Sequence, residues 1–242
     1  NKAIIKTRGS IVKYYLSYAT NNWKKSQQLA ESKAYLHGAD KVISSGPKDL
    51  NRDFISKNVD ILSKRRGGGY WLWKPYLILK TLNSMEEQDL LIYSDSGAHA
   101  ISDLDKIYSL VSNKDIALFE LHDKKNVEWT SKDCCDILGC NDDEFLQSNQ
   151  VCATFQVYRK TQKSVEFVEN YLNFCQNKSA ILDSDKGVGL EYIEHRHDQS
   201  ILSCLAFLHQ IELHRDPSQW GNGLKMNNSH YDQTFHHHRG NL

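Results

Sequence analysis

The run Leu90-Leu91-Ile92-Tyr93 constrains this chain more than any other stretch. It lies in a strand read from Asp89 to Asp95, and none of its four residues is polar. A strand with one wet side alternates apolar and polar residues, whereas a continuous apolar run belongs to a strand covered on both faces. Such a strand needs helices above and below it, and the rest of the chain supplies them. Strands read at Ile11–Ala19, Lys41–Ser44, Ile116–Leu121, Val151–Arg159 and Ile211–His214, with helical patterns between them. The first helix is capped by Asn21 or Asn22 and closed by Gly38; the second opens at Asp49 and carries Phe54, Ile55, Val59 and Leu62. Further helical stretches cover Asp103–Val111, the face Val165, Val168, Leu172 and Cys175, and Ser200–Leu208. Residues 122–148 read as polar and irregular around one short helix, residues 177–198 as a loop-rich insert, and the tail from Asp216 as polar coil. Strands alternating with helices imply an α/β fold with a mixed, mainly parallel central sheet, in a single domain over 1–242. In such sheets ligands bind beyond the carboxyl ends of the strands.

Composition narrows the function classes. Lys+Arg and Asp+Glu are both 30, so a generally basic nucleic-acid binder is not expected. No apolar run approaches the roughly 20 residues that span a bilayer, which leaves at most peripheral membrane contact. The cysteines Cys134, Cys135, Cys140, Cys152, Cys175 and Cys204 lack zinc-knuckle or Cys-x-x-Cys spacing, and they read as reduced thiols of a cytoplasmic protein. The chain begins at Asn1, without Met, which leaves open a preceding segment.

Four stretches carry candidate chemistry. Asp95 follows the buried strand and precedes Gly97, so its carboxylate belongs at the sheet's carboxyl edge, either holding a divalent cation or binding its own turn. The block Gly67-Gly68-Gly69-Tyr70-Trp71-Leu72-Trp73-Lys74-Pro75 must break the preceding helix, since each interior glycine costs a helix about 1 kcal/mol. Pro75 then suits the first turn of the next helix. The block's backbone N–H groups and Lys74 could bind phosphate, or its aromatics could serve the core; its spacing is that of neither a Walker loop nor a Rossmann fingerprint. His195-Arg196-His197-Asp198-Gln199-Ser200 gathers ionisable groups at a helix start, where Asp198 serves as N-cap, as general base, or both. His236-His237-His238 reads as a metal-ligand source or a solvated tract.

Taken together, Arg66 through Pro75, Leu91 through Gly97, Gln150 through Phe155 and His195 through Ser200 resemble a glycosyltransferase of the GT-A fold. The likeness is to small bacterial and viral sugar transferases of surface-polysaccharide synthesis, and it covers about residues 10–220. It implies a nucleotide-binding half (1–110) and an acceptor-binding half with the tail (111–242). It implies a nucleotide-sugar donor, usually UDP-linked, a glycan or lipid-linked saccharide acceptor, and Mn2+ or Mg2+ held by an Asp-x-Asp motif. Here that motif is Asp95-Ser96-Gly97, without its second aspartate. By this likeness Asp95 and Asp198 are catalytic, and Tyr18, Arg66, Tyr70, Trp73, Lys74, Ser94, Asp95, Ser96 and Gly97 bind the donor. Trp129, Gln150, Thr154, His197, Asp198 and Gln199 shape the donor and acceptor pocket, and Asp95, His236 and His238 hold the metal. A late histidine ligand goes with retaining members and an Asp198 base with inverting ones, and the histidine tail favours the retaining outcome here. A carbohydrate-binding protein without catalysis and a nucleotidyltransferase acting on sugar phosphates are the competing readings.

Overall fold

A computed structural model describes residues 10–238 and 240. Six strands form one sheet: β1 (Lys13–Tyr18), β2 (Lys41–Ser45), β3 (Leu90–Ser94), β5 (Ile116–Lys125), β6 (Asn149–Arg159) and β7 (Leu213–Arg215), in the order β2-β1-β3-β6-β5-β7. β1 runs parallel to β2 and β3, and β7 parallel to β5. β6 is antiparallel to both of its neighbours, so it is the one reversed strand of the six.

The sheet is buried on both faces, as the apolar run requires. Along β1, Tyr14, Leu16 and Tyr18 join one core while Tyr15 joins the other; along β3, Leu91 and Tyr93 oppose Leu90 and Ile92 in the same way. The first core is closed by three helices: α2 (Trp73–Ser84), α3 (Gln162–Cys175) and α4 (Asp198–Leu208). The second is closed by α1 (Lys24–Leu36) and by a two-stranded ribbon, β4 (Ala98–Ala100) with β8 (Phe235–His237). All six cysteines are free and buried. Among the described residues no helix is long and apolar enough to cross a membrane.

Several local expectations change. The tail is not all coil: Phe235 is fully buried, and β8 pairs with β4, a partner far away in sequence that no local pattern announces. β5 continues past Leu121 to Lys125, beyond its apolar part, because β6 pairs with the extension. The helix expected to open at Asp49 spans Arg52–Lys57 instead, and the Asn51 side chain caps it by accepting from the Phe54 amide at 2.6 Å. Asp198 is not a cap: it is the first residue of α4, and its carboxylate turns inward.

The glycine block does stop the helix, and it does so as a left-handed turn. Five consecutive residues take positive φ: Gly67 at 58°, Gly68 at 59°, Gly69 at 97°, Tyr70 at 52° and Trp71 at 60°. Left-handed backbone costs an L-residue roughly 1–2 kcal/mol, so only a glycine-rich stretch can complete such a turn. A Cβ on Gly69 would stand 2.6 Å from the Leu62 Cα, and one on Gly67 2.4 Å from the Trp71 ring.

Candidate active site

A cleft of about 720 Å³ opens along the carboxyl edge of the sheet. Residues after β1 (Ala19, Thr20), after β3 (Asp95, Ser96, Gly97) and after β7 (Asp216) line it. The reversal of β6 brings its amino end to the same edge, which is why Gln150, Cys152, Ala153 and Thr154 join the wall. The glycine turn and the start of α4 complete the cleft.

At its floor, Lys74 joins two carboxylates. Lys74 is only 2% exposed. Its Nζ lies 2.9 Å from Asp198 Oδ2 and 3.4 Å from Asp95 Oδ1, and it donates to the Ala153 carbonyl at 3.2 Å. An ammonium has three N–H groups, and these three acceptors account for all of them. Lys74 therefore holds the carboxylates in place and has no donor left for a phosphate. Burial works against its charge, but Asp198 and Asp95 together outweigh burial and raise its pKa. Burial pushes Asp198 up to about 6, with Lys74 pulling the other way. The Tyr171 hydroxyl donates to Asp198 Oδ2 at 3.1 Å, and the Tyr93 hydroxyl to Asp95 Oδ1 at 2.5 Å.

Behind the glycine turn, His197 takes φ 53°, another non-glycine residue in left-handed backbone. Its ring stacks on Tyr70 at 4.1 Å between centroids and tilts against Trp71 at 6.0 Å. The His197 Nδ1 lies 2.8 Å from the Ile181 carbonyl. The His195 Nε2 lies 2.9 Å from the Ala180 carbonyl, and its Nδ1 accepts from the Ser131 amide at 3.2 Å. Burial lowers His197 to about 4 and His195 to about 3, so both rings are neutral at pH 7. Asp183 ties this layer together: it accepts from the Tyr70 hydroxyl and lies 3.6 Å from Arg66 and from His197 Nε2. Glu194 pairs with Arg66 at 3.1 Å and with Arg196 at 3.0 Å.

Most residues singled out from sequence meet in this cleft. Tyr18, Arg66, Trp73, Lys74, Asp95, Ser96, Gly97, Trp129, Gln150, Thr154, His197, Asp198 and Gln199 all line it. Tyr18 and Trp73 stack at 3.8 Å. Gln150 and Gln199 brace the wall: Gln199 donates to Gln150 at 2.7 Å, and Gln150 in turn donates to the Trp129 carbonyl at 3.1 Å. Four residues lie elsewhere. Tyr70 is behind the wall on His197, and Ser94 is fully buried with its hydroxyl on the Asp95 carbonyl at 3.2 Å. On β8 the side chains alternate, so His237 lines the cleft while His236 and His238 lie beside His99, at 5.5 and 5.7 Å between ring centroids.

That alternation separates the expected metal set of Asp95, His236 and His238. Asp95 already accepts from Tyr93 and pairs with Lys74, and among the described residues no three His, Cys, Asp or Glu side chains converge on one point. The donor set does not fit a preformed metal centre.

Sequence reading missed Trp23, Arg65, Lys124 and Asp216, all of which line the cleft. Asp216 had a usable signal, since like Asp95 it follows a strand. The strand is read at Ile211–His214 and observed at Leu213–Arg215, but Asp216 falls where the polar tail was expected to begin.

No protein-family model matches the chain, and no curated protein matches it. Among solved structures it is similar to mouse xyloside xylosyltransferase 1 in its apo form, at 9% identity and TM-score 0.48, over 94% of this chain and 97% of that one. It is similar to the galactosyltransferase LgtC in complex with donor and acceptor sugar analogs, at 12% identity and TM-score 0.47, over 94% of this chain and 87% of that one. It is also similar to the bifunctional glycosyltransferase WbbM at 13% identity and TM-score 0.47; 84% of this chain matches, spanning 38% of WbbM.

Proposed function

We propose that the chain is a glycosyltransferase that moves a sugar from a nucleotide-sugar donor to a hydroxyl of a saccharide acceptor. The observation that carries this reading is the buried Lys74 holding Asp95 and Asp198 at the floor of a large cleft at the carboxyl edge of an α/β sheet. Asp198 has the chemistry of a general base. It is fixed by Lys74 and Tyr171, it lines the cleft, and its pKa of about 6 lies close to the operating range, where base catalysis is most efficient. In this reading it takes the proton of the acceptor hydroxyl as that oxygen attacks the anomeric carbon and the bond to the departing diphosphate breaks. A single-step displacement of this kind inverts the anomeric centre. Of the histidine tract that favoured retention, His237 lines the cleft while His236 and His238 lie beside His99.

The departing diphosphate needs positive charge, because charge developing on it sets much of the barrier. Lys74 has no donor to spare. Arg65 and Arg66, at the mouth beside the left-handed turn, are the groups we assign to it. The stacked Tyr18 and Trp73 offer an aromatic surface to the nucleotide base. A glycan or lipid-linked saccharide is the acceptor class we favour.

Calorimetric titration with UDP, GDP and CDP, each with and without Mn2+, tests the reading. Binding of one nucleotide well above the others is expected, and the paired titrations report any need for the cation. If none of the three binds in either buffer, the transferase reading fails and a saccharide-binding role takes its place.

A further inference from the structure

Asp216 is a buried carboxylate with half of its hydrogen-bonding capacity unused. It is 3% exposed and lines the cleft. One oxygen, Oδ1, is saturated: it accepts from the Ser218 amide at 2.7 Å and from the Ser218 hydroxyl at 2.6 Å. The other, Oδ2, is buried without a hydrogen-bond partner. The adjacent Arg215 does not neutralise it, because that guanidinium donates to the Gly221 carbonyl at 3.0 Å and to the Tyr231 carbonyl. Among the described residues no lysine, arginine or histidine forms an ion pair with Asp216.

The carboxylate is also held rigidly. The chain folds back so tightly after β7 that a Cβ on Gly221 would stand 2.0 Å from the Asp216 carbonyl oxygen. The Ser218 hydroxyl that donates to Asp216 also accepts from the Trp220 amide at 3.3 Å. A buried, unpaired carboxylate oxygen is costly unless something donates to it. At a cleft wall, a hydroxyl of a bound ligand can supply the missing donor.

We propose that Asp216 is a specificity-determining residue whose Oδ2 accepts a hydrogen bond from a sugar hydroxyl of the nucleotide-sugar. The inference rests on the transferase reading and adds a recognition contact to it. A ribose hydroxyl and a hydroxyl of the transferred sugar share this chemistry, and deoxy analogues separate them. A carboxylate oxygen discriminates sharply here: a ligand lacking the hydroxyl leaves Oδ2 unpaired, whereas a ligand bearing it supplies a donor to that oxygen.

The test compares wild type with Asp216→Asn and Asp216→Ala by calorimetry, using the nucleotide found to bind, its 2′-deoxy and 3′-deoxy forms, and the matching nucleotide-sugar. Near-UV circular dichroism confirms that each variant is folded. Wild type is expected to bind one deoxy form about 10–100-fold more weakly, the range for a hydrogen bond to a charged group, and both variants are expected to lose that discrimination. If the discrimination appears only between the nucleotide-sugar and a deoxy-sugar analogue, the partner is the transferred sugar. If folded variants keep wild-type affinity and discrimination, Asp216 has no such role, while nucleotide binding leaves the transferase reading standing. A second arm titrates Mn2+ alone. Loss of Mn2+ binding in Asp216→Asn, with nucleotide discrimination intact, would make Asp216 a cation ligand and overturn the proposal.

Discussion

Lys74, Asp198 and the two buried histidines set the chemistry of the cleft at the scale of single residues. Lys74→Met would leave two carboxylates facing each other without their cation. Breaking a buried pair from one side costs about 3–5 kcal/mol, and urea denaturation of the variant should show a loss of that order. Asp198→Asn keeps the shape and removes the base; transfer should fall at least about 100-fold, the lower end for a lost general base, with nucleotide affinity little changed. The acid limb of the rate profile should follow Asp198 and drop below about pH 6, where its carboxylate takes up a proton. Stability runs on a different balance. His195 and His197 are lowered from 6.5 to about 3 and about 4, so the stability they contribute is complete above 6.5 and lost as pH falls through those values. Asp198 is raised from 3.8 to about 6, so its contribution is present below 3.8 and lost as pH rises through about 6. Between about pH 4 and 6 the unfolded chain binds two protons on the histidines, and the folded chain binds one on Asp198. The net effect of these three groups is a fall of about 1.4 kcal/mol per pH unit on acidification. Denaturant titrations at pH 6, 5 and 4 measure it; a flat profile would show that one of these rings is protonated in the native state.

The left-handed turn from Gly67 to Trp71 is the element whose sequence and shape agree most closely. Its three glycines are not equivalent. A Cβ on Gly68 meets nothing closer than the Trp73 ring nitrogen at 3.8 Å, whereas on Gly69 it strikes Leu62 backbone at 2.6 Å. Gly68→Ala should therefore cost only the conformational penalty of roughly 1–2 kcal/mol. Gly69→Ala should cost more than that and disturb the Tyr70–His197 stack as well, both readable from denaturation midpoints and near-UV dichroism. The sequence showed that a helix must end here. It did not show which way the chain would turn, because that follows from Tyr70 and Trp71 packing on His197 across the cleft wall. α4 teaches a similar lesson. Asp198 has the right type and position to cap a helix, yet its carboxylate goes to Lys74, since a buried ammonium is a stronger partner than a solvated end-of-helix amide.

The tail matters for the whole molecule more than its polar composition suggests. β8 closes one wall of the cleft through His237 and plugs the second core with Phe235, whose ring lies 4.8 Å from Phe155. Phe235→Ala should cost about 3–5 kcal/mol, the range for deleting a buried aromatic side chain. Because β8 carries His237, the same variant should weaken nucleotide binding, so denaturation and calorimetry are expected to move together. The thiols give an independent check on the whole fold. All six are free and buried, so the native protein should resist a thiol reagent while the denatured chain takes up six equivalents.

How far the sequence could be read depended on the range of the force involved. The covered strand at β3, the order of strands and helices, the helix stop at the glycines and the acidic turn at Asp95 were all legible, because each follows from burial pattern or backbone sterics within a few residues. The reversal of β6, the pairing of β8 with β4 and the partners of Lys74 were not. A strand's apolar pattern is the same whichever way it runs, so only its hydrogen-bonded neighbours decide its direction, and β6 had to reverse for Gln150 to Thr154 to reach the cleft. Three residues of β8 carry no periodicity of their own; its alternation turned His237 toward the cleft and His236 away only once Ala98 to Ala100 had set its register. Asp216 was one carboxylate among many in the sequence. Only the chain's return past Gly221 buried it and left one of its oxygens without a donor.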